Sequence, residues 1–350
     1  MALRGGKNGK SPLPRDVMIR FGVAYKPQSS TDRKNDVILD QITKALVPVA
    51  FVIALGFLAG KRKKLDYSDS LLITRLVLNW IFPALLLAGM AGTPRAQLFD
   101  FRFIVATFVG LMGTYVLAFA VGWFRYRDLK IATLKGLVCG FPDAAFMGIP
   151  ILRSLYGPDS LYPILVLNVI ASLIMIPLTT TLLTIATGKG SGAKAFVSSV
   201  LGAVRRPLMW APAIGILFSL LAIKLPSTVL DSLNLLGKAT PGVSLFCLGL
   251  IMSSVVLKPS PDVLGNMILK LFFQPSLMAG AALMLSVSGI PTKQMILLCA
   301  LPSATISGMF ANDADAYRDE ATTSILFGAI LSLVTFSFAI YLIDLGLGAA

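Results

Sequence analysis

The chain has 350 residues, 56% of them hydrophobic and 14% charged, with a mean hydropathy of +0.80; that leaves too little polar surface to coat a soluble globule and places the chain in a lipid bilayer. Its 31 Lys and Arg against 17 Asp and Glu give a net charge of +14, yet the cations cluster at the ends of apolar runs, where they read as orientation signals and not as a nucleic-acid surface. Histidine is absent and Glu320 is the sole glutamate, which removes His-based zinc sites and Ser-His or Cys-His catalysis and points away from an enzyme, a cofactor or a resident metal.

Residues 1–37 are polar and basic without the apolar core of a signal peptide, so they read as a disordered tail, with Met18 as an alternative start. Within it, Gly5-Gly6-Lys7-Asn8-Gly9-Lys10-Ser11 nearly matches a phosphate-binding loop, but Arg4 stands where the first glycine is required and no strand precedes it, so nothing here uses ATP. Apolar runs of about 20 residues, enough to cross a bilayer, then fall at about 40–60, 69–91, 101–124, 131–154 and 160–187. A polar linker, 188–206, follows, and five more runs fall at about 207–223, 228–256, 262–288, 292–311 and 319–345. The expected fold is all-α and integral to the membrane, with ten transmembrane helices in two groups, residues 38–187 and 207–350. Cys139, Cys247 and Cys299 all lie in apolar runs without C-x-x-C spacing and read as packing residues.

The two groups repeat one another. Cys139 to Gly148 aligns without a gap to Cys299 to Gly308, both reading C-x-x-P-x-A-x-x-x-G, and Pro83 and Ser172 have partners in Pro241 and Ser332. Proline removes a backbone donor and blocks a carbonyl, so helices 4 and 9 should break near the bilayer midplane. Each repeat has an odd number of crossings, so the second copy enters from the opposite side and the repeats are inverted. Paired broken spans in corresponding positions of inverted repeats point to the binding site of a secondary transporter. Loop charges, led by Lys61 to Lys64, Arg125, Arg127, Lys130, Lys189, Lys194, Arg205 and Arg206, put the linker in the cytoplasm and both termini outside it, although the eight Lys and Arg of the tail argue the other way.

Asp143 follows the first break directly. A carboxylate at membrane depth is functional by default, as a cation or proton site, with a helix cap as the plain alternative. Ser303 takes the same position in the second copy; Thr305 and Ser307 follow it and serve either a ligand or their own helix carbonyls. Half-helix N-termini at Asp143-Ala144 and Ser303-Ala304, next to Pro142 and Pro302, offer positive dipole ends to an anion. Asn79, four residues before Pro83, adds an amide, and Lys270 is an interior cation that either meets an anionic substrate or snorkels to the surface. Gly136 and Gly140 read as a packing face.

Phe141 to Pro150, the Asn79-x-x-x-Pro83 segment and the stretch from Pro302 to Ser332 resemble the auxin efflux carrier family, particularly its bacterial malonate- or malate-permease-like members, over about residues 38–345. The resemblance implies that helices 4 and 9 cross at Pro142 and Pro302. It also implies a scaffold of helices 1, 2, 6 and 7 and a mobile unit of helices 3–5 and 8–10 that moves as an elevator, often in a homodimer. Many relatives carry asparagine where this chain has Asp143, which favours coupling to H+ or Na+, with a Na+ position near Asp143 as in the more distant bile-acid-type sodium symporters.

The expectation is therefore a coupled secondary transporter of small organic anions, mono- or dicarboxylates such as malonate, malate or auxin-like acids, in a plasma or bacterial inner membrane. Asn79, Pro142, Asp143, Ala144, Lys270, Pro302, Ser303 and Thr305 form the expected substrate site, and Asp143 is the expected coupling-ion site. The alternatives are a sodium-coupled symporter of a larger amphipathic anion and a ligand-binding membrane sensor that does not transport.

Overall fold

The computed structural model describes residues 30–94, 98, 100–188, 192–254 and 257–344. Most of the expected tail, residues 1–29 with Met18 and the loop-like Gly/Lys motif, lies outside the described residues; residues 30–37 of that segment are already helical. The chain divides into residues 1–41 and a body of residues 42–350.

Among the described residues the chain is helical, with no strand beyond one isolated bridge. In chain order the helices are α1 (Ser30–Lys61); α2 (Tyr67–Leu76 continuing into Phe82–Ala91); α3 (Phe101–Tyr126); α4a (Leu129–Gly140) and α4b (Ala144–Tyr156); and α5 (Leu161–Ala186). Then come α6 (Gly192–Val204), α7 (Pro207–Leu220), α8 (Ser227–Ser253), α9 (Pro261–Met284), α10a (Ile290–Cys299) and α10b (Thr305–Asp313), and α11 (Arg318–Asp344). By length and composition α3, α5, α8, α9 and the Ser68–Ala91 stretch of α2 can each cross a membrane unaided, and α6 with α7 passes as one pair bent by 58°. The segment that the sequence reads as a polar linker thus carries a helix, α6, and α7–α11 hold the sixth to tenth apolar runs.

Proline punctuates these helices in one recurring way. The wide, π-type turns Val77–Ile81, Ala144–Gly148, Ala171–Met175 and Leu269–Phe273 each run straight into an α-helical segment whose second residue is Pro83, Pro150, Pro177 or Pro275. The proline ring clashes with the carbonyl four residues back and offers no N–H to it, so the preceding turn widens and the helix continues.

The closest packing falls within two sets of helices. In one, α7 and the first half of α8 pack on Phe82–Ala91, and the second half of α8 packs on Tyr67–Leu76. In the other, α3 packs on α4a and on the second half of α9, and α11 packs on α9 and α10b. Helix α1 joins the first set through glycine. A Cβ on Gly56 would lie 2.0 Å from the carbonyl oxygen of Phe246, and one on Gly249 would lie 2.0 Å from that of Ile53, so the backbones of α1 and α8 touch. Gly249→Ala is expected to cost about 1–3 kcal/mol by forcing the two apart and to lower the thermal midpoint in detergent. Gly242→Ala on the same helix, where an added Cβ meets nothing within 4 Å, should leave that midpoint unchanged.

Candidate functional site

The two proline breaks meet. Gly140 ends α4a, Phe141 turns extended (φ −104°, ψ 105°), and the chain from Phe141 to Asp143 runs antiparallel to the segment around Ser303. The amide of Asp143 donates to the carbonyl of Pro302 (2.9 Å) and that of Ala304 donates to the carbonyl of Phe141 (2.8 Å). These bonds satisfy backbone groups that proline frees from both helices, which a membrane interior requires.

Four half-helix ends therefore converge on this junction. The two N-terminal ends, at Ala144 and Thr305, line a cavity of about 280 Å³. Its other walls come from Thr74, Arg75, Leu78 and Asn79 of α2, from Asn168, Ser172 and Ile176 of α5, from Ser199 and Ala203 of α6, and from Arg206, Leu208 and Met209. A second cavity of about 480 Å³ shares Thr74, Thr305 and Met309 with it and runs past Asn312 to Arg318.

Asp143 is 2% exposed and its two carboxylate oxygens do different things. Oδ1 accepts from the amide of Phe146 (3.2 Å) and so caps α4b. Oδ2 is buried in the wall of the cavity with no hydrogen-bond partner. The helix cap that the sequence offers as the plain reading is thus present on one oxygen, and the other is left without a partner. Helix α10b has Ala304 at its N-cap, and no side chain bonds its first amides. Its positive end faces the cavity without a fixed counter-charge, whereas that of α4b already carries Asp143.

Of the expected site residues, the structure brings Asn79, Pro142, Asp143, Ala144 and Thr305 together around the cavity. Pro302 and Ser303 are buried in the bridge behind it and do not line it. Lys270 is elsewhere again. It is 2% exposed and does not snorkel; its Nζ donates to the carbonyl of Cys299, the last residue of α10a (2.8 Å), and to Oε1 of Gln274 (2.5 Å). Gln274 Nε2 in turn donates to the carbonyl of Gly140 at the end of α4a (2.7 Å). One turn of α9 thus places a cation and an amide against the negative ends of both half-helices, on the carbonyls that the breaks leave without a helical partner. Gly136 and Gly140 pack on Tyr115 of α3, as the packing reading expects.

The sequence reading missed a buried polar cluster one turn further along α4a. Lys135, 1% exposed, donates to Oδ1 of Asp262 (2.9 Å) and to Oδ1 of Asn266 (2.6 Å) on α9. Tyr317, just before α11, donates to Oδ2 of Asp262, and Asn266 Nδ2 donates to Tyr317 (2.9 Å) and to Ser324 (2.9 Å). A lysine within an apolar span was the available signal, since such a cation must find a partner. Asp262 was also legible, as a first-turn acid of α9, but nothing local links it to a residue 127 positions away.

A family model described as a membrane transport protein matches residues 41–340. The chain is 26% identical over 301 residues to the "Uncharacterized transporter YfdV" of Escherichia coli (strain K12), covering 85% of this chain and 96% of that protein. It is 24% identical over 318 residues to the "Putative malonate transporter" of Rhizobium meliloti (strain 1021), covering 87% and 97%. It is also 29% identical over 146 residues to "Auxin efflux carrier component 8" of Arabidopsis thaliana, covering 40% of each.

Proposed function

The chain belongs to the membrane transport protein family, which includes the auxin efflux carriers, and is a transporter and not an enzyme; from that membership we propose that it carries small organic anions by coupled secondary transport. The observation that carries this reading is the cavity at the two breaks. It brings together an uncapped half-helix N-terminus, suited to a carboxylate, and the free Oδ2 of Asp143, suited to a proton or Na+. An anion and a coupling cation held side by side neutralise one another, which removes the repulsion that Asp143 alone would impose. The volume of about 280 Å³ suits a small acid better than a large amphipathic one. A relative bearing malonate in its name supports a mono- or dicarboxylate of that size.

In this reading α1, α2, α7 and α8 are the scaffold, and α3–α5 with α9–α11 move past them as an elevator within ten crossings of two inverted repeats. The division of close packing into these two sets supports it, as does a cavity lined from both. Ser199 and Ala203 of helix α6 and the exposed Arg206 line that cavity, which supports reading this conformation as the one that faces the linker side. The loop charges assign that side to the cytoplasm, with the termini opposite. A homodimer through the scaffold is consistent with the exposed apolar side chains that α1 and α2 carry, among them Phe51, Leu72 and Trp80.

Counterflow into proteoliposomes tests the proposal. Vesicles loaded with unlabelled malonate, malate or phenylacetate should accumulate the same labelled acid at least tenfold over empty vesicles. Binding of an acid without any counterflow would instead make the protein a sensor.

A further inference from the structure

The cavity holds two cations that neither the fold nor the coupling scheme uses. Arg75 lies seven residues after Ser68 in the membrane-capable stretch of α2, about 10 Å along the helix. Arg206, exposed, stands between α6 and α7 and lines the same cavity. Among the described residues neither guanidinium has a hydrogen bond or an ion pair, in contrast to Lys135, Lys258, Lys270 and Arg318, which all do. With Asp143, these two arginines are the only ionisable groups among the described residues that line the cavity.

The face of α2 explains the placement. Thr74, Arg75, Leu78 and Asn79 recur at one-turn spacing and all line the cavity, Arg75 and Asn79 as exposed polar side chains next to the exposed apolar Leu72, Leu76 and Trp80. Arg75 therefore stands one turn nearer the α2 N-terminus than Asn79, on the same cavity wall. An arginine inside a membrane span without a carboxylate partner is costly, and it is retained where a ligand supplies the missing charge. Its planar fork matches the two oxygens of a carboxylate in a way that a lysine does not.

Resting on the anion-carrier reading above, we propose that Arg75 is a substrate-binding residue, the seat of the cargo carboxylate while the cavity is open to the linker side. The rest of the cargo then lies against Leu78, Phe146, Ile306 and Met309. The exposed Arg206 attracts the anion and does not fix its orientation. An immobile cation on the scaffold and a mobile acid at Asp143 also divide the work. One recognises the anion; the other carries the coupling ion.

The test is counterflow kinetics for malonate, malate and phenylacetate with wild type, Arg75→Gln, Arg75→Lys and Arg206→Gln, each checked for a wild-type thermal midpoint. Arg75→Gln is expected to raise KM at least tenfold for every acid that wild type carries, with kcat within twofold, and Arg75→Lys to recover part of that loss. Arg206→Gln should raise KM less, and its effect should fade as ionic strength rises. A KM for Arg75→Gln within twofold of wild type on each carried acid would overturn the assignment while leaving the carrier reading intact. A wild type that carries none of the three acids would overturn the carrier reading itself and the assignment with it.

Discussion

Asp143→Asn is expected to leave anion counterflow running while abolishing its dependence on the coupling ion. Asparagine is as good an N-cap as aspartate, so the bond from Oδ1 to the amide of Phe146 and the start of α4b survive. What changes is the second oxygen, which is buried without a hydrogen-bond partner on a residue that lines the cavity; an amide nitrogen there holds neither a proton nor Na+. Uptake measured with and without Na+ and at two pH values should show a wild-type ion dependence of about tenfold, one power of ten being about 1.4 kcal/mol of coupling, collapsing to none in the variant. Asp143→Ala removes the cap as well, at a cost of about 1 kcal/mol, and should lower the thermal midpoint where Asp143→Asn does not. If Asp143→Asn keeps the wild-type ion dependence, Asp143 is a cap and the coupling site lies elsewhere.

The largest effect on stability is expected at the cluster on α4a. Asp262→Asn leaves the Lys135 ammonium buried against neutral partners, and Lys135→Met leaves the Asp262 carboxylate with only the exposed Arg125 guanidinium, 3.9 Å away. Breaking a buried pair from one side costs about 3–5 kcal/mol. Either single variant should therefore unfold in detergent well below the wild-type midpoint. Replacing both groups with apolar residues of similar size, as in Lys135→Met with Asp262→Leu, removes two desolvation penalties together and is expected to recover most of the loss. Because the cluster ties α4a to α9 and α11, all within one helix set, the double variant should also still transport. Wild-type midpoints for both single variants would show that the pair contributes nothing to holding the set together.

Much of this site was legible in the sequence because proline acts locally. Pro142 and Pro302 break their helices whatever surrounds them, so two matching breaks could be placed before any fold was known, and Asp143 beside the first followed at once. Lys270 shows where local reading stops. Eight residues into its span it could reach the surface, and only the rotation of α9 against the two half-helices decides that it points inward to Cys299. Ser303 occupies the place of Asp143 in the repeat, and the antiparallel bridge pairs Pro142 with Ser303 and so sets Asp143 opposite Pro302, the register an inverted repeat requires. Even so, Asp143 lines the cavity and Ser303 does not, because the cavity is walled on one side only, by α2, α5 and α6. The segment 188–206 reads as a polar linker because Lys189, Gly190 and Lys194 dominate its start, while Gly192, Ala195, Ser199 and Ala203, about one turn apart, give α6 an inward face of small residues. The partners of Lys135 and the cavity side of Arg75 were not legible for one reason: each is defined by what lies opposite it across the bundle.

In the proposed mechanism cargo sits between the two breaks and is presented to each side of the membrane in turn. Thr305, at the N-terminus of α10b and in the wall of both cavities, reports on this most directly. With the buried Cys139, Cys247 and Cys299 replaced, a Thr305→Cys variant would be labelled by a membrane-impermeant thiol reagent from either face of oriented proteoliposomes. Labelling is expected from the linker side at rest and from the opposite side during exchange, with protection on both sides by a saturating concentration of the transported acid. Labelling confined to one side under every condition, or unaffected by the acid, would contradict that mechanism.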